Sequence, residues 1–171
     1  MRLYLVQHGA AASKTEDPRC PLTEAGRRAV HKLAEYISQF PLSIDVIEHS
    51  GKLRAQQTAE ILDLQIRPSL GSKEVEGLAP ADPVKPVAER LRGEKKDVML
   101  VGHLPHLSSL ANTLLGLKAG AELIRFQTGG CVCLESDDSG KWSLCWMLTP
   151  DLLPEEEEGR STLSGTWPTD S

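Results

Sequence analysis

The sequence predicts an α/β fold: a three-layer αβα arrangement around a mostly parallel sheet that finishes in an antiparallel C-terminal hairpin. Short apolar runs alternate with longer segments whose apolar residues recur at helical spacing, the pattern of an α/β chain. Leu3 to Val6 and Val98 to Val101 are apolar at every position, as strands covered on both faces are. Two late apolar runs are separated by Asp137-Asp138-Ser139-Gly140, a turn-forming group that suits a hairpin.

In chain order, residues 2–7 read as the first strand, which ends abruptly in His8-Gly9. Residues 10–21 are small, charged and proline-punctuated, hence a loop. Thr23 suits the cap of a helix running to about Phe40, with Val30, Leu33, Ala34 and Ile37 on one face and Pro41 as its stop. Ile44 to Ile47 reads as a second strand, and Ser50-Gly51 turns into a helix over 52–63, with Ser50 at its cap. Residues 64–82 hold Gly71, Gly77, Pro68 and Pro80 and read as irregular, with room for a short strand near Ile66. A brief helix is expected over 84–92 and a buried strand over 97–101. Gly102-His103-Leu104-Pro105 then leads into a helix reaching about Leu115. Leu123 to Phe126, Cys131 to Leu134 and Trp142 to Met147 read as late strands. Cys131 and Cys133 are expected to share a face, as are Trp142 and Trp146. One domain over 1–153 is expected. The segment 154–171, with its acidic run Glu155 to Glu158 and polar tail, is expected to be disordered.

Composition narrows the function. Twenty-four acidic against 19 basic residues give a net charge of −5, which disfavours a non-specific grip on nucleic acid or anionic lipid. No apolar stretch approaches the roughly 18 residues of a membrane span, and the N-terminal run is too short for a signal peptide, so the cytoplasm is the expected location. Cys20, Cys131, Cys133 and Cys145 lack zinc-site spacing; buried reduced thiols are the expectation, with no metal and no cofactor.

Three strand-to-helix junctions carry polar groups: Gln7-His8-Gly9, Ser50 to Arg54, and Gly102-His103. Ligands of open α/β sheets sit outside the carboxyl ends of the strands, so these junctions can face one pocket although nearly a hundred residues separate the first from the last. Two histidines, an arginine and helix N-termini make a site for a small anion. On residue types alone His8 is open to four roles: nucleophile, base, metal ligand or packed core residue.

These residues resemble the histidine phosphatase superfamily, which is phosphoglycerate-mutase-like in fold, and within it the small phosphohistidine phosphatases of the SixA type. The likeness rests on a strand ending in His8-Gly9, on Pro21-Leu22-Thr23 with Gly26, on Ser50-Gly51-Lys52-Leu53-Arg54-Ala55-Gln56-Gln57-Thr58-Ala59, and on Val101-Gly102-His103-Leu104-Pro105. It spans residues 1–147. The resemblance implies a nucleophilic His8 that passes through a phosphohistidine intermediate, an Arg54 that grips the phosphoryl oxygens, and a His103 that stabilises charge on them. Gln7, Gly9, Ser50 and Gly102 are expected around the substrate, with Gly9 and Gly102 allowing close approach of backbone to phosphate. The family pattern has arginine immediately before the nucleophile, and this chain has Gln7, which donates a hydrogen bond but carries no charge. Lys52 or a protonated His49 is a candidate to restore that charge. Larger members of the superfamily take a general acid from the loop after the second helix, where this chain offers Glu74 and Glu76, and Glu76 is the candidate. The expected substrate is a protein phosphorylated on histidine. A phosphomonoesterase or mutase acting on small metabolites, and a phosphate-binding pseudoenzyme that lost catalysis with the arginine, are the alternatives.

Overall fold

The computed structural model describes residues 1–118 and 120–153; the tail expectation for 154–171 falls outside them. The elements are β1 (Arg2–Gln7), α1 (Glu24–Ser38), β2 (Val46–His49), α2 (Leu53–Ile66), β3 (Ser72–Glu74), α3 (Val84–Gly93), β4 (Val98–Gly102), α4 (His106–Leu114), β5 (Cys131–Ser136) and β6 (Trp142–Leu148). The six strands form one sheet in the order β3-β2-β4-β1-β5-β6. β1 runs parallel to β4, and β2 parallel to β4 and β3, while β5 is antiparallel to β1 and β6.

Because alternate residues of a strand face opposite ways, the sheet builds two cores. Leu3, Leu5, Val98 and Leu100 pack against α3 and α4 through Val87, Leu91, Leu107 and Leu110. Tyr4, Val6, Met99 and Val101 pack against α1 and α2 through Val30, Leu33, Ala59 and Leu62. This is the expected three-layer αβα architecture. The parallel pairing places the carboxyl ends of β1, β2 and β4 along one edge, which is what brings distant junctions together. Among the described residues, no helix is long and apolar enough to cross a membrane.

Packing fixes where β1 hands over to α1. Thr23 caps α1, its Oγ1 accepting from Gly26 N at 3.0 Å, and Thr23 N donates to Ala10 O at 2.9 Å. The loop after β1 lies so close to α1 that a Cβ on Gly26 would stand 2.1 Å from Ala10 O, and one on Gly9 would stand 2.9 Å from Gly26 O. The approach that Gly9 permits is therefore backbone to helix. Gly102 is likewise occupied, since a Cβ there would lie 3.1 Å from the Leu107 side chain.

Several local expectations are corrected. Residues 123–126 form no strand; Ile124 and Phe126 are buried in the core beneath α3 and α4 while Leu123 is exposed, an alternation achieved without ladder partners. Ile66 ends α2, and the short strand is the polar Ser72–Glu74, specified by its pairing with β2 and not by apolar content. Trp142 and Trp146 face opposite cores. The β5–β6 register runs Cys133 to Trp146 but Leu134 to Leu144, so Cys145 is an extra residue in β6 and reverses the alternation. Cys131 and Cys133 do share a face, both in the core beneath α1 and α2.

Candidate active site

The site is assembled by the ends of β1, β2 and β4. His8 follows β1 directly, and its backbone N donates to Gly102 O at 3.1 Å, the last residue of β4. Gly9 N donates to the hydroxyl of Thr58 at 3.1 Å, and the same hydroxyl donates to Arg54 O at 2.7 Å. Thr58 is wholly buried, so one side chain of α2 ties the turn after β1 to the helix that carries Arg54. Gln57, its neighbour, accepts from Leu22 N at 2.8 Å.

The His8 ring has one tautomer. Nδ1 lies 2.7 Å from the carbonyl oxygen of Gly9, which can only accept, so Nδ1 carries the proton. Nε2 lies 3.1 Å from Arg54 Nε, whose N–H can only donate, so Nε2 presents its lone pair. Burial, assisted by the Arg54 charge, holds the His8 pKa below that of free imidazole. Its unprotonated form is therefore favoured at neutral pH.

His103, 1% exposed, stacks obliquely beside His8, with ring centroids 4.9 Å apart and planes at 55°. Its Nε2 lies 2.5 Å from the Ser50 hydroxyl. Its Nδ1 is buried without a hydrogen-bond partner among the described residues. Burial pushes its pKa down to about 3, reinforced by the Arg54 and Lys52 charges and by repulsion from His8 once that ring is protonated. His103 is thus a neutral imidazole before any anion arrives. An oxyanion beside it would oppose those charges and raise its proton affinity.

Each expected site residue can be located. His8, Arg54, His103 and Ser50 meet at one edge of the sheet. Ser50 is not a helix cap: Lys52 occupies that position of α2, and the Ser50 hydroxyl is turned to His103. The Gln7 Oε1 is buried without a partner among the described residues. His49 points elsewhere, its Nδ1 accepting from Gly51 N at 3.2 Å, and burial lowers its pKa although Glu74 and Glu60 oppose this. It is thus a poor replacement for a fixed cation. Lys52 is exposed, and its charge acts on His103. Glu76 is exposed on the wall of a pocket that also includes Ser50. Sequence reasoning missed Thr58 and the turn at Gly129, whose N–H reaches the carbonyls of Gln7 at 2.9 Å and His8 at 3.2 Å. Thr58 stood within the motif spelling, but only the fold shows what it ties together.

The architecture is that of an α/β protein of the phosphoglycerate-mutase-like class, with two imidazoles and a guanidinium at its carboxyl-end edge. The chain belongs to the histidine phosphatase superfamily and is SixA-like within it: the model of that superfamily's branch 1 matches residues 3–79. An uncharacterised protein of Picosynechococcus sp. is 31% identical over 170 residues, covering 84% of this chain and 99% of that protein. The protein histidine phosphatase SixA, solved in complex with tungstate, superposes with a TM-score of 0.77 at 25% identity, covering 88% of this chain and 98% of that one. A putative alpha-ribazole-5'-P phosphatase from Escherichia coli shares the fold, with a TM-score of 0.73 at 19% identity over 88% of this chain and 98% of its own.

Proposed function

We propose that this protein is a phosphohistidine phosphatase that removes the phosphoryl group from a histidine of another protein through a covalent intermediate on His8. The observation that carries the reading is the hydrogen bonding of His8, which supports a neutral ring with the Nε2 lone pair directed at Arg54.

In the free site the Arg54 Nε–H caps that lone pair, and the Nη groups make no hydrogen bond among the described residues. Phosphoryl oxygens draw the guanidinium onto themselves with parallel, charge-assisted bonds and release Nε2 to attack phosphorus. The Nε2–P bond forms as the bond from phosphorus to the leaving nitrogen breaks, and that nitrogen takes a proton, for which Glu76 on the adjoining wall is the candidate donor. His103, buttressed by Ser50, receives the negative charge on the transferring group. Water then attacks phosphorus, passing a proton back to the Glu76 carboxylate as the Nε2–P bond breaks, which releases phosphate and returns neutral His8. Charge compensation comes from Arg54, with His103 and the N-terminus of α2, so no metal or cofactor has a part.

A phosphoprotein substrate is supported by the likeness to SixA over nearly its whole length. Its complex with tungstate, a tetrahedral oxyanion, fits the same view. The test offers a histidine-phosphorylated carrier protein and a panel of phosphomonoesters to the wild type and to His8→Ala, with phosphate release as readout. Release from the phosphoprotein that vanishes in His8→Ala is expected. Faster turnover of small phosphoesters would move the reading to a metabolite phosphatase, and activity surviving in His8→Ala would overturn the mechanism.

A further inference from the structure

Thr58 lies within α2 and is wholly buried, so its hydroxyl has no bulk water to meet. A helical threonine commonly gives its hydroxyl proton to the carbonyl four residues back, and Thr58 does so, donating to Arg54 O at 2.7 Å. That bond would form on almost any helix. The second is of another kind: the same oxygen accepts from Gly9 N at 3.1 Å, across 49 residues of chain. The hydroxyl thus uses its one proton inside α2 and keeps a lone pair for the turn after β1.

Gly9 is committed at both of its polar atoms. Its N–H goes to Thr58, and its carbonyl oxygen holds the His8 Nδ1 proton at 2.7 Å. The residue is buried, so its N–H cannot turn to solvent if Thr58 ceases to accept. The rest of the loop is fastened independently, by Leu22 N to Gln57 Oε1 at 2.8 Å, Ala12 N to Pro21 O at 2.8 Å and Thr23 N to Ala10 O at 2.9 Å. The bonds therefore form a closed circuit. His8 Nδ1–H donates to Gly9 O, Gly9 N–H to Thr58 Oγ1, Thr58 O–H to Arg54 O, and Arg54 Nε–H back to His8 Nε2. When phosphoryl oxygens take the guanidinium, the last of these opens, and the side through Gly9 and Thr58 is what still orients the ring.

We propose that Thr58 is a positioning residue: its hydroxyl fixes the turn whose carbonyl orients the His8 ring for attack, and registers that ring against the helix that carries Arg54. The kinetic side of this role rests on the phosphatase reading; the hydrogen-bonded pose of the ring does not. Thr58 acts through Gly9, so its removal should slow the chemical step and leave the grip of Arg54 on the phosphoryl oxygens largely intact.

The test compares Thr58→Val, which keeps the branched shape and removes the oxygen, with Thr58→Ser, which keeps the hydroxyl, and Thr58→Ala, which differs from Thr58→Ser by that oxygen alone. Thermal melting sets an assay temperature at which the variants are folded; should Thr58→Val not fold, the other two decide. Phosphate release from phosphoramidate gives kcat and KM. Proton NMR follows the His8 Nδ1–H resonance, assigned by its absence from His8→Ala. Loss of one buried hydrogen bond should lower kcat about thirtyfold in Thr58→Val and Thr58→Ala with KM within about threefold of the wild type, and Thr58→Ser should bring kcat back to within about threefold. The Nδ1 proton should be slow to exchange in the wild type and Thr58→Ser, and lost to exchange in the other two. Wild-type kcat in Thr58→Val, equal losses in Thr58→Ser and Thr58→Ala, or a rise in KM with kcat unmoved overturns the assignment. So does an Nδ1 proton unmoved in all three variants, the result of a threonine that serves packing only. If the wild type releases no phosphate, the phosphatase reading fails and the proton alone decides: kept in Thr58→Ser and lost in Thr58→Ala and Thr58→Val it supports the positioning role, and unmoved it overturns that role as well.

Discussion

Protonation of His103 should weaken the fold in acid by a predictable amount. The native ring is nearly inaccessible and its pKa is pushed down to about 3, by burial first and then by the neighbouring positive groups. In the unfolded chain it titrates near 6.5. Between those two values the unfolded state binds a proton that the native state does not, so stability rises with pH. The contribution is whole above about pH 6.5 and is lost progressively as pH falls toward 3. Acidifying from about pH 7 to about 4.5 crosses roughly two units at about 1.4 kcal/mol each, and allowing for partial access of solvent to the site leaves a loss of about 2 kcal/mol. Urea unfolding of the wild type and of His103→Gln at the two pH values measures it. The glutamine cannot titrate, so the variant should lose about 2 kcal/mol less than the wild type over this interval. His8, His49 and His106 titrate in both proteins and cancel in the difference. Equal acid losses in the two proteins would refute the buried, neutral state assigned to His103.

Arg54→Lys keeps the charge but removes the Nε–H bond to His8 and the planar fork; losing two charge-assisted bonds should lower kcat/KM for phosphate release by about a hundredfold or more. Gln7→Arg supplies the charge that the family resemblance leads one to expect before His8, and a rise in kcat/KM of about tenfold is expected in steady-state assays. Gly26→Ala drives a methyl group into Ala10 O and should destabilise the fold by about 2–3 kcal/mol in denaturant titration, with lost activity following the displaced His8-Gly9 turn.

The fold was legible because its organising signals are strong and local. β1 and β4 are apolar throughout and bury every side chain from Leu3 to Val6 and from Val98 to Val101. The meeting of the candidate residues was legible as well, since parallel strands put His8, Arg54 and His103 at one edge regardless of their separation in sequence. What escaped depends on pairing between distant elements. β3 is polar and exists because β2 offers it an edge. The extra residue at Cys145 turns Trp142 from its expected face, and nothing in the spelling of β6 announces it. Ser50 reads as a cap because serine before a helix usually is one; its hydroxyl instead serves an imidazole 53 residues away. Gly9 and Gly102 show the same limit. Both positions demand glycine, yet the atoms that demand it belong to α1 and α4.

The proposed phosphatase chemistry requires His8 to attack through Nε2 while Gly9 holds the proton on Nδ1. Incubation with phosphoramidate, rapid quenching in alkali to preserve the P–N bond, and phosphorus NMR with peptide mapping test it directly. A phosphoryl group on the His8 peptide, bonded to Nε2 and absent from His8→Ala, is expected. A phosphoryl group on Nδ1 or on another residue, or phosphate release with no phosphorylated His8 detectable at early times, would contradict it.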